Sequence, residues 1–221
     1  MKRILIYGAS GRTGKLVLEY ALSKGYAVTA LVRSPNKITL KADELTILKG
    51  TPTNIQDVRK AMEGCNFVIN VLSALSEKES ISLKKIIPPN ILEKSISNTI
   101  ECMQEYRIKR IISLSSIGVG NSYKFAPWFM KLFIKISNFK IVFADHNQQE
   151  QLLINSNLDW TIVRPVGLNN NETLGKLVVT YDKTPSPFKM SRKQLAKFIV
   201  DSLDKSEFNH KSPILSEQNQ K

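Results

Sequence analysis

Cysteine and histidine are scarce: Cys65 and Cys102 are the two cysteines in 221 residues, and there are two histidines. Two thiols cannot staple a disulfide scaffold, and no Cys/His spacing suits zinc, so no metal site is expected. Long apolar runs are also missing. Phe67 to Leu75 is broken by Asn70 and Ser73, and Phe125 to Ile136 by Lys131 and Lys135, well short of the ~20 apolar residues of a membrane-spanning helix. Acidic residues are the third deficit. Lys and Arg number 32 against 19 Asp and Glu, a net charge of +13, and between Tyr106 and Ala144 seven cations meet no carboxylate. Such a field draws anions of any kind and by itself selects none. There is no repeat or low-complexity tract, and Met1-Lys2-Arg3 runs straight into Ile4-Leu5-Ile6 without a secretory apolar stretch. A cytoplasmic location is therefore expected.

What is present reads as one core: 42% hydrophobic and 23% charged residues, with no Gly-, Pro- or Ser-rich linker dividing the chain. Strands are predicted at Arg3–Tyr7, Ala27–Val32, Leu45–Leu48, Asn66–Leu72 and Arg110–Leu114, then Trp160–Arg164 closed by Pro165, and Lys176–Thr180. Helices are predicted at Lys15–Lys24, Asn54–Met62, Ile141–Asn155 and Ser191–Leu203. After Pro88-Pro89, Asn90 with Glu93 reads as the Asx-x-x-Glu start of another helix, running to about Tyr106. This alternation predicts an α/β, Rossmann-like, doubly wound parallel sheet with helices on both faces. One domain, 1–221, is expected, with a substrate or lid region at about 117–140 and 165–190.

The chemistry concentrates where the first strand meets the first helix, in Gly8-Ala9-Ser10-Gly11-Arg12-Thr13-Gly14. A glycine-rich turn lets a pyrophosphate approach the backbone and packs helix against strand, and the helix N-terminus offers N–H groups to phosphate. An NAD-binding turn is usually followed about 20 residues on by an acid for the ribose hydroxyls. Here Arg33 and Ser34 stand at that place, with Arg12 and Lys37 near. The combination favours NADP(H) as cofactor.

These motifs, with Leu31–Lys37, Asn70–Ala74, Arg110–Ser116, Ala144–Leu153, Asp159–Pro165 and Ser191–Val200, resemble the atypical short-chain dehydrogenase/reductases. Within that group the chain is similar to small NAD(P)H-binding proteins of the biliverdin reductase B (flavin reductase) and NmrA-like kinds. The resemblance implies that Gly8, Ser10, Gly11, Arg12, Thr13 and Gly14 hold the pyrophosphate, and Arg33 and Lys37 the 2′-phosphate. Leu72 and Ser73 would line the middle of the cofactor. Ser115 and Ser116 would end the fifth strand beside the nicotinamide, with His146 opening the next helix and Pro165 flanking the substrate opening. Ser116 and His146 are the catalytic candidates. Two positions depart from the family pattern. Thr51 replaces an acid near the adenine, and Gly167 replaces a second active-site histidine.

Tyr20 and Lys24 have the Tyr-x-x-x-Lys spacing of short-chain dehydrogenases, but Lys24 lies about 15 Å along the first helix from its phosphate-binding end. Where the pair belongs, Tyr123 is followed by Pro127. Without a phenol as proton donor, reduction of a simple ketone is disfavoured. Acceptors that delocalise added charge, of flavin, quinone or bilin type, suit the sequence better. His146 and Glu150 lie one helical turn apart, and without a third ligand a local ion pair or solvated carboxylate is the expected state of Glu150. Phe125, Trp128, Phe129, Leu132, Phe133 and Ile136 follow helical spacing, with Lys124, Lys131, Lys135 and Asn138 on the opposite face. The leading expectation is a lid whose apolar side packs beside the nicotinamide pocket; docking on a membrane, a partner or nucleic acid are the alternatives. The sequence thus reads as an NADPH-dependent reductase of a small, anionic, conjugated acceptor, monomeric or dimeric and without specific nucleic-acid recognition. The alternative is a non-catalytic NADP(H)-sensing regulator.

Overall fold

The computed structural model describes residues 1–73 and 90–218; Ala74, Pro88 and Pro89, which entered the sequence motifs, lie outside them. In chain order the elements are β1 (Arg3–Tyr7), α1 (Arg12–Ser23), β2 (Ala27–Val32), β3 (Leu45–Lys49), α2 (Ile55–Met62), β4 (Phe67–Asn70), α3 (Ile91–Glu105) and β5 (Arg110–Leu114). There follow α4 (Trp128–Ile136), α5 (Phe139–Ile154), β6 (Asp159–Pro165), β7 (Leu168–Asn169), β8 (Lys176–Thr180), β9 (Met190–Ser191), α6 (Arg192–Asp201) and β10 (Ile214–Gln218). Successive side chains of a strand point to opposite faces, and β1 sorts the molecule by that rule. Ile4 and Ile6 join Val17, Leu18 and Ala21 of α1 and Leu195 and Ile199 of α6 in one buried cluster. Leu5 and Tyr7 join Val58 and Met62 of α2, Ile96 and Met103 of α3, and Leu153 of α5 in another. Helices therefore cover both faces of a single sheet.

The strand order is β3-β2-β1-β4-β5-β6-β10-β8, so the chain winds outward from β1 in one direction and resumes from β4 in the other. A ligand crevice forms outside the carboxyl ends of the strands at such a reversal. All neighbours in this sheet are parallel except β8, which runs antiparallel to β10 with Ile214 opposite Thr180 and Gln218 opposite Lys176. An all-parallel sheet was expected; a parallel return needs a crossover of a dozen or more residues, usually helical. Between β6 and β8 there is no helix, whereas α6 supplies the crossover that lays β10 parallel to β6.

Two helix starts differ from expectation. Asn90 adopts a left-handed conformation (φ 45°) and its side chain makes no capping hydrogen bond. The cap comes from α5, where Asp145 accepts from Leu92 N (3.0 Å) and Glu93 N (2.9 Å). The amphipathic stretch is broken by Pro127 into a 3₁₀ turn, Gly120–Phe125, and α4. Within α4 only Ile134 is buried, packing with Val119, Val142 and Phe143, while Trp128 is 77% and Ile136 60% exposed. The expected apolar seam faces outward, because the helix uses its Met130/Ile134 side for the core. Arg110, one of the seven cations of that region, is buried and donates to the Ser202, Leu203 and Asp159 carbonyls and to Thr161. Among the described residues no helix is long and apolar enough to cross a membrane.

Because Asp145 is the buried cap of α3, Asp145→Ala should destabilise the fold by about 1 to 3 kcal/mol. Thermal and denaturant unfolding check this, with Asp145→Asn expected to retain part of the loss.

Candidate functional site

The carboxyl ends of β1 to β5 surround a cleft of about 1060 Å³. Its floor is the turn after β1. Gly8 has φ +79°, and a Cβ there would stand 2.6 Å from the Val71 carbonyl oxygen. A Cβ on Gly14 would penetrate the Gly8 carbonyl and approach Ala9 Cα to 2.8 Å, so helix and strand meet at glycine-only distance. Gly11 is the N-cap of α1 and donates to Gly8 O at 2.9 Å. Gly11 has no side chain to cap α1, its first turn holds no acid, and the positive end of the helix dipole faces the cleft.

Gly8, Ser10, Gly11, Arg12, Thr13 and Gly14 all line the cleft, as do Arg33, Thr51, Leu72, Ser73, Ser115 and His146. Three of the expected residues lie outside its lining. Lys37 ends an exposed 3₁₀ turn, Pro35–Lys37. Ser116 donates its hydroxyl to the Ile117 carbonyl at 3.1 Å. Pro165 is the buried last residue of β6, paired with Leu215, and its carbonyl accepts from Ile117 N. Of the expected lid segments, 117–140 contributes nothing to the lining and 165–190 contributes Leu168.

The structure adds residues that sequence reading missed. Lys49 at the end of β3 and Arg192 at the start of α6 join Arg12 and Arg33 as the cations among the described lining residues, none of which is a carboxylate. Arg192 also donates to Asn170 at 2.7 Å. Position 49 could have been flagged as the charged end of a strand beside β2; Arg192 carried no local signal, since only the fold returns it to the cleft. Behind Thr51, Asp57 of α2 accepts from Thr51 N at 2.9 Å, fixing the Gly50–Thr53 loop.

At the other end of the cleft, Asn70 donates to Ser113 (3.1 Å) and Gln149 (2.9 Å), and Gln149 donates to the Leu114 carbonyl (3.0 Å). This buried network ties β4, β5 and α5 together behind Ser115 and His146. His146 does not open its helix but sits in the middle of α5, which begins at Phe139. Glu150, one turn on, is turned away from it and forms a buried pair with Arg164 (Oε1 to Nε 3.0 Å, Oε2 to Nη2 2.5 Å), with Asn121 accepting a third guanidinium hydrogen. Ser115 Oγ and His146 Nδ1 are buried with no hydrogen-bond partner among the described residues. Burial pushes the His146 imidazole down to about 4, so it is neutral at pH 7.

Glycine turn, uncapped helix end, cation-lined walls and two orphaned polar atoms fit a dinucleotide, and they define the class: an NAD(P)-binding Rossmann protein. The model of the NAD(P)H-binding family matches residues 8–206, and the chain belongs to that family. It is 26% identical over 213 residues to the chloroplastic protein At2g34460 of Arabidopsis thaliana, covering 95% of this chain and 75% of that one. It is 24% identical to the photosystem II assembly factor Ycf39 of Synechocystis, covering 91% of this chain and 58% of that protein. Among solved structures, ChuY of Escherichia coli O157:H7, titled an anaerobilin reductase, superposes with a TM-score of 0.80 at 22% identity over 100% and 99% of the two chains. A short-chain dehydrogenase/reductase of Veillonella parvula in complex with NADP gives 0.76 at 19% identity, covering 98% and 94%. At these identities the structures share the fold.

An unfolded His146 would titrate near ~6.5, so the unfolded chain binds the extra proton between there and about 4. Stability is complete above the unfolded value and falls as the pH drops through this window, by on the order of 3 kcal/mol in total. Denaturant midpoints of the wild type and His146→Gln across that range check this: the variant should lose part of the slope.

Proposed function

We propose that the chain is an NADPH-dependent reductase that transfers hydride to a conjugated, anionic small molecule of flavin, quinone or bilin type. The observation that carries the reading is a cleft with a glycine-turn floor, four lining cations and no carboxylate among its described lining residues. When bound, NADPH supplies a hydride. Gly8 to Gly14 and the N–H groups opening α1 would hold the pyrophosphate. Arg33, with Arg12, would hold the 2′-phosphate, which NADH lacks. Lys49 and the Gly50–Thr53 loop suit the adenine end, and Leu72 with Ser73 the middle.

Ser115 and His146 would orient the reacting end. A neutral imidazole and a serine hydroxyl can hydrogen-bond an acceptor, but neither is a strong acid at pH 7. No tyrosine is among the described lining residues, so an acceptor that spreads the incoming charge over a conjugated system is favoured over a simple ketone. Ser116, whose hydroxyl points to its own loop, would act by shaping the turn beside Ser115. The likeness to ChuY, an anaerobilin reductase, supports a bilin among the acceptors.

The test is oxidation of NADPH by the purified chain with flavin mononucleotide, a quinone and a bilin in turn. Turnover above background with at least one is expected; NADPH binding with no turnover on any would leave the sensing role instead. With an accepted substrate, Arg33→Ala should raise KM for NADPH roughly tenfold or more with kcat little changed, because a charge-assisted contact of about 1.5 to 3 kcal/mol made equally in ground and transition states is lost.

A further inference from the structure

We propose that α4 is an interfacial helix that seats the protein on the surface of an anionic lipid bilayer. Trp128, Phe129, Leu132, Phe133 and Ile136 are all exposed, by 42 to 77%. At ~100° per residue these five side chains share one arc of about 140°. Large apolar side chains scattered singly on a surface are normal, whereas a contiguous patch of aromatics and branched aliphatics marks an interaction site. The helix is anchored from the other side by Ile134, so the patch is held outward on a fixed support.

Charge decides the occupant. Lys131 and Lys135 border the apolar arc on the helix itself, and Lys124 and Lys140 stand at its two ends. Lys131 reaches the Lys124 carbonyl (3.3 Å) and the face of Tyr123, and Lys124 lies over Phe125. From Tyr106 to Ala144 the sequence has no carboxylate. A second copy meeting this face by two-fold symmetry would set these lysines against their equivalents. The arc itself carries no hydrogen-bonding group except the Trp128 indole N–H, which gives a folded protein partner little to recognise. An anionic bilayer meets both demands: its acyl boundary takes the aromatic and aliphatic side chains, and its headgroups take the flanking ammonium groups.

The test uses vesicles of phosphatidylglycerol mixed with phosphatidylcholine, and of phosphatidylcholine alone, in co-sedimentation with the full chain. Binding to the mixed vesicles, weakening with salt, and at least tenfold poorer binding to phosphatidylcholine are expected. Trp128 should report insertion by a blue-shifted emission, since Trp160 is already buried. Lys131→Gln with Lys135→Gln should reduce binding at least tenfold, taking roughly fivefold per lysine near an anionic surface. Trp128→Ser with Leu132→Ser should abolish it, and all four sites are open enough that thermal unfolding should stay unchanged. Failure of the wild type to sediment at low salt, or equal binding by wild type and both variants, overturns the proposal. A concentration-dependent dimer in light scattering, removed by Trp128→Ser/Leu132→Ser without any vesicle binding, would assign the patch to self-association and overturn it too.

Discussion

The contact on which the rest depends is the approach of α1 to the end of β1, where Gly14 packs against the Gly8 carbonyl at a distance no other residue permits. That approach aims the uncapped start of α1 at the crevice and lets Gly8 take a positive φ beneath the Val71 carbonyl. The crevice then has a floor of backbone rather than side chains. Everything placed around it, Arg33 from β2, Lys49 from β3, Leu72 after β4 and Ser115 after β5, arrives because the parallel strands all end at this edge. A methyl group at position 14 would push the helix away and dismantle the geometry at its origin.

Charge is used in two different ways. The buried cations are committed to structure: Arg110 is surrounded by carbonyl oxygens and Thr161, and Arg164 is neutralised by Glu150. Burial lowers the Arg110 guanidinium to about 10, so it stays charged at neutral pH. The cleft is lined by Arg12, Arg33, Lys49 and Arg192 with no carboxylate among its described lining residues, and the lysines around α4 lie in the 106–144 stretch, which has no Asp or Glu. The net charge of +13 is therefore divided between internal cross-links, an anion-attracting cleft and a basic flank. These are separate sites, because α4 contributes nothing to the cleft lining.

Much of this was legible beforehand. The strands Arg3–Tyr7, Ala27–Val32, Arg110–Leu114 and Lys176–Thr180 stand where their β-rich runs end, and the glycine turn opens the helix it was read to open. What local patterns did not carry depended on distant partners. Asp145 caps a helix some fifty residues earlier in the chain, so Asn90 was the natural but mistaken reading. β10, with Ser216 and Glu217 buried in it, has no apolar alternation; Glu217 is there to accept from Ser191 N (2.7 Å) and Gly175 N. At the site, Ser115 and Ser116 are equivalent in sequence, but both lie just past the end of β5, where Ser115 lines the cleft and Ser116 turns to the Ile117 carbonyl. For the stripe on α4 an inward-packing lid was the leading expectation with outward docking as the alternative, and its side chains are exposed, since spacing defines a face without saying what covers it.

The central proposal is that this cleft takes a dinucleotide and that its lining cations bind the extra phosphate of NADP(H). Calorimetric titration of the wild-type chain with NADPH and with NADH measures it directly. Binding of NADPH at least tenfold tighter, with the gap narrowing as salt rises, is the expected result, since roughly one charge-assisted contact already accounts for that ratio and screening weakens it. Equal affinities at every salt concentration would contradict the account.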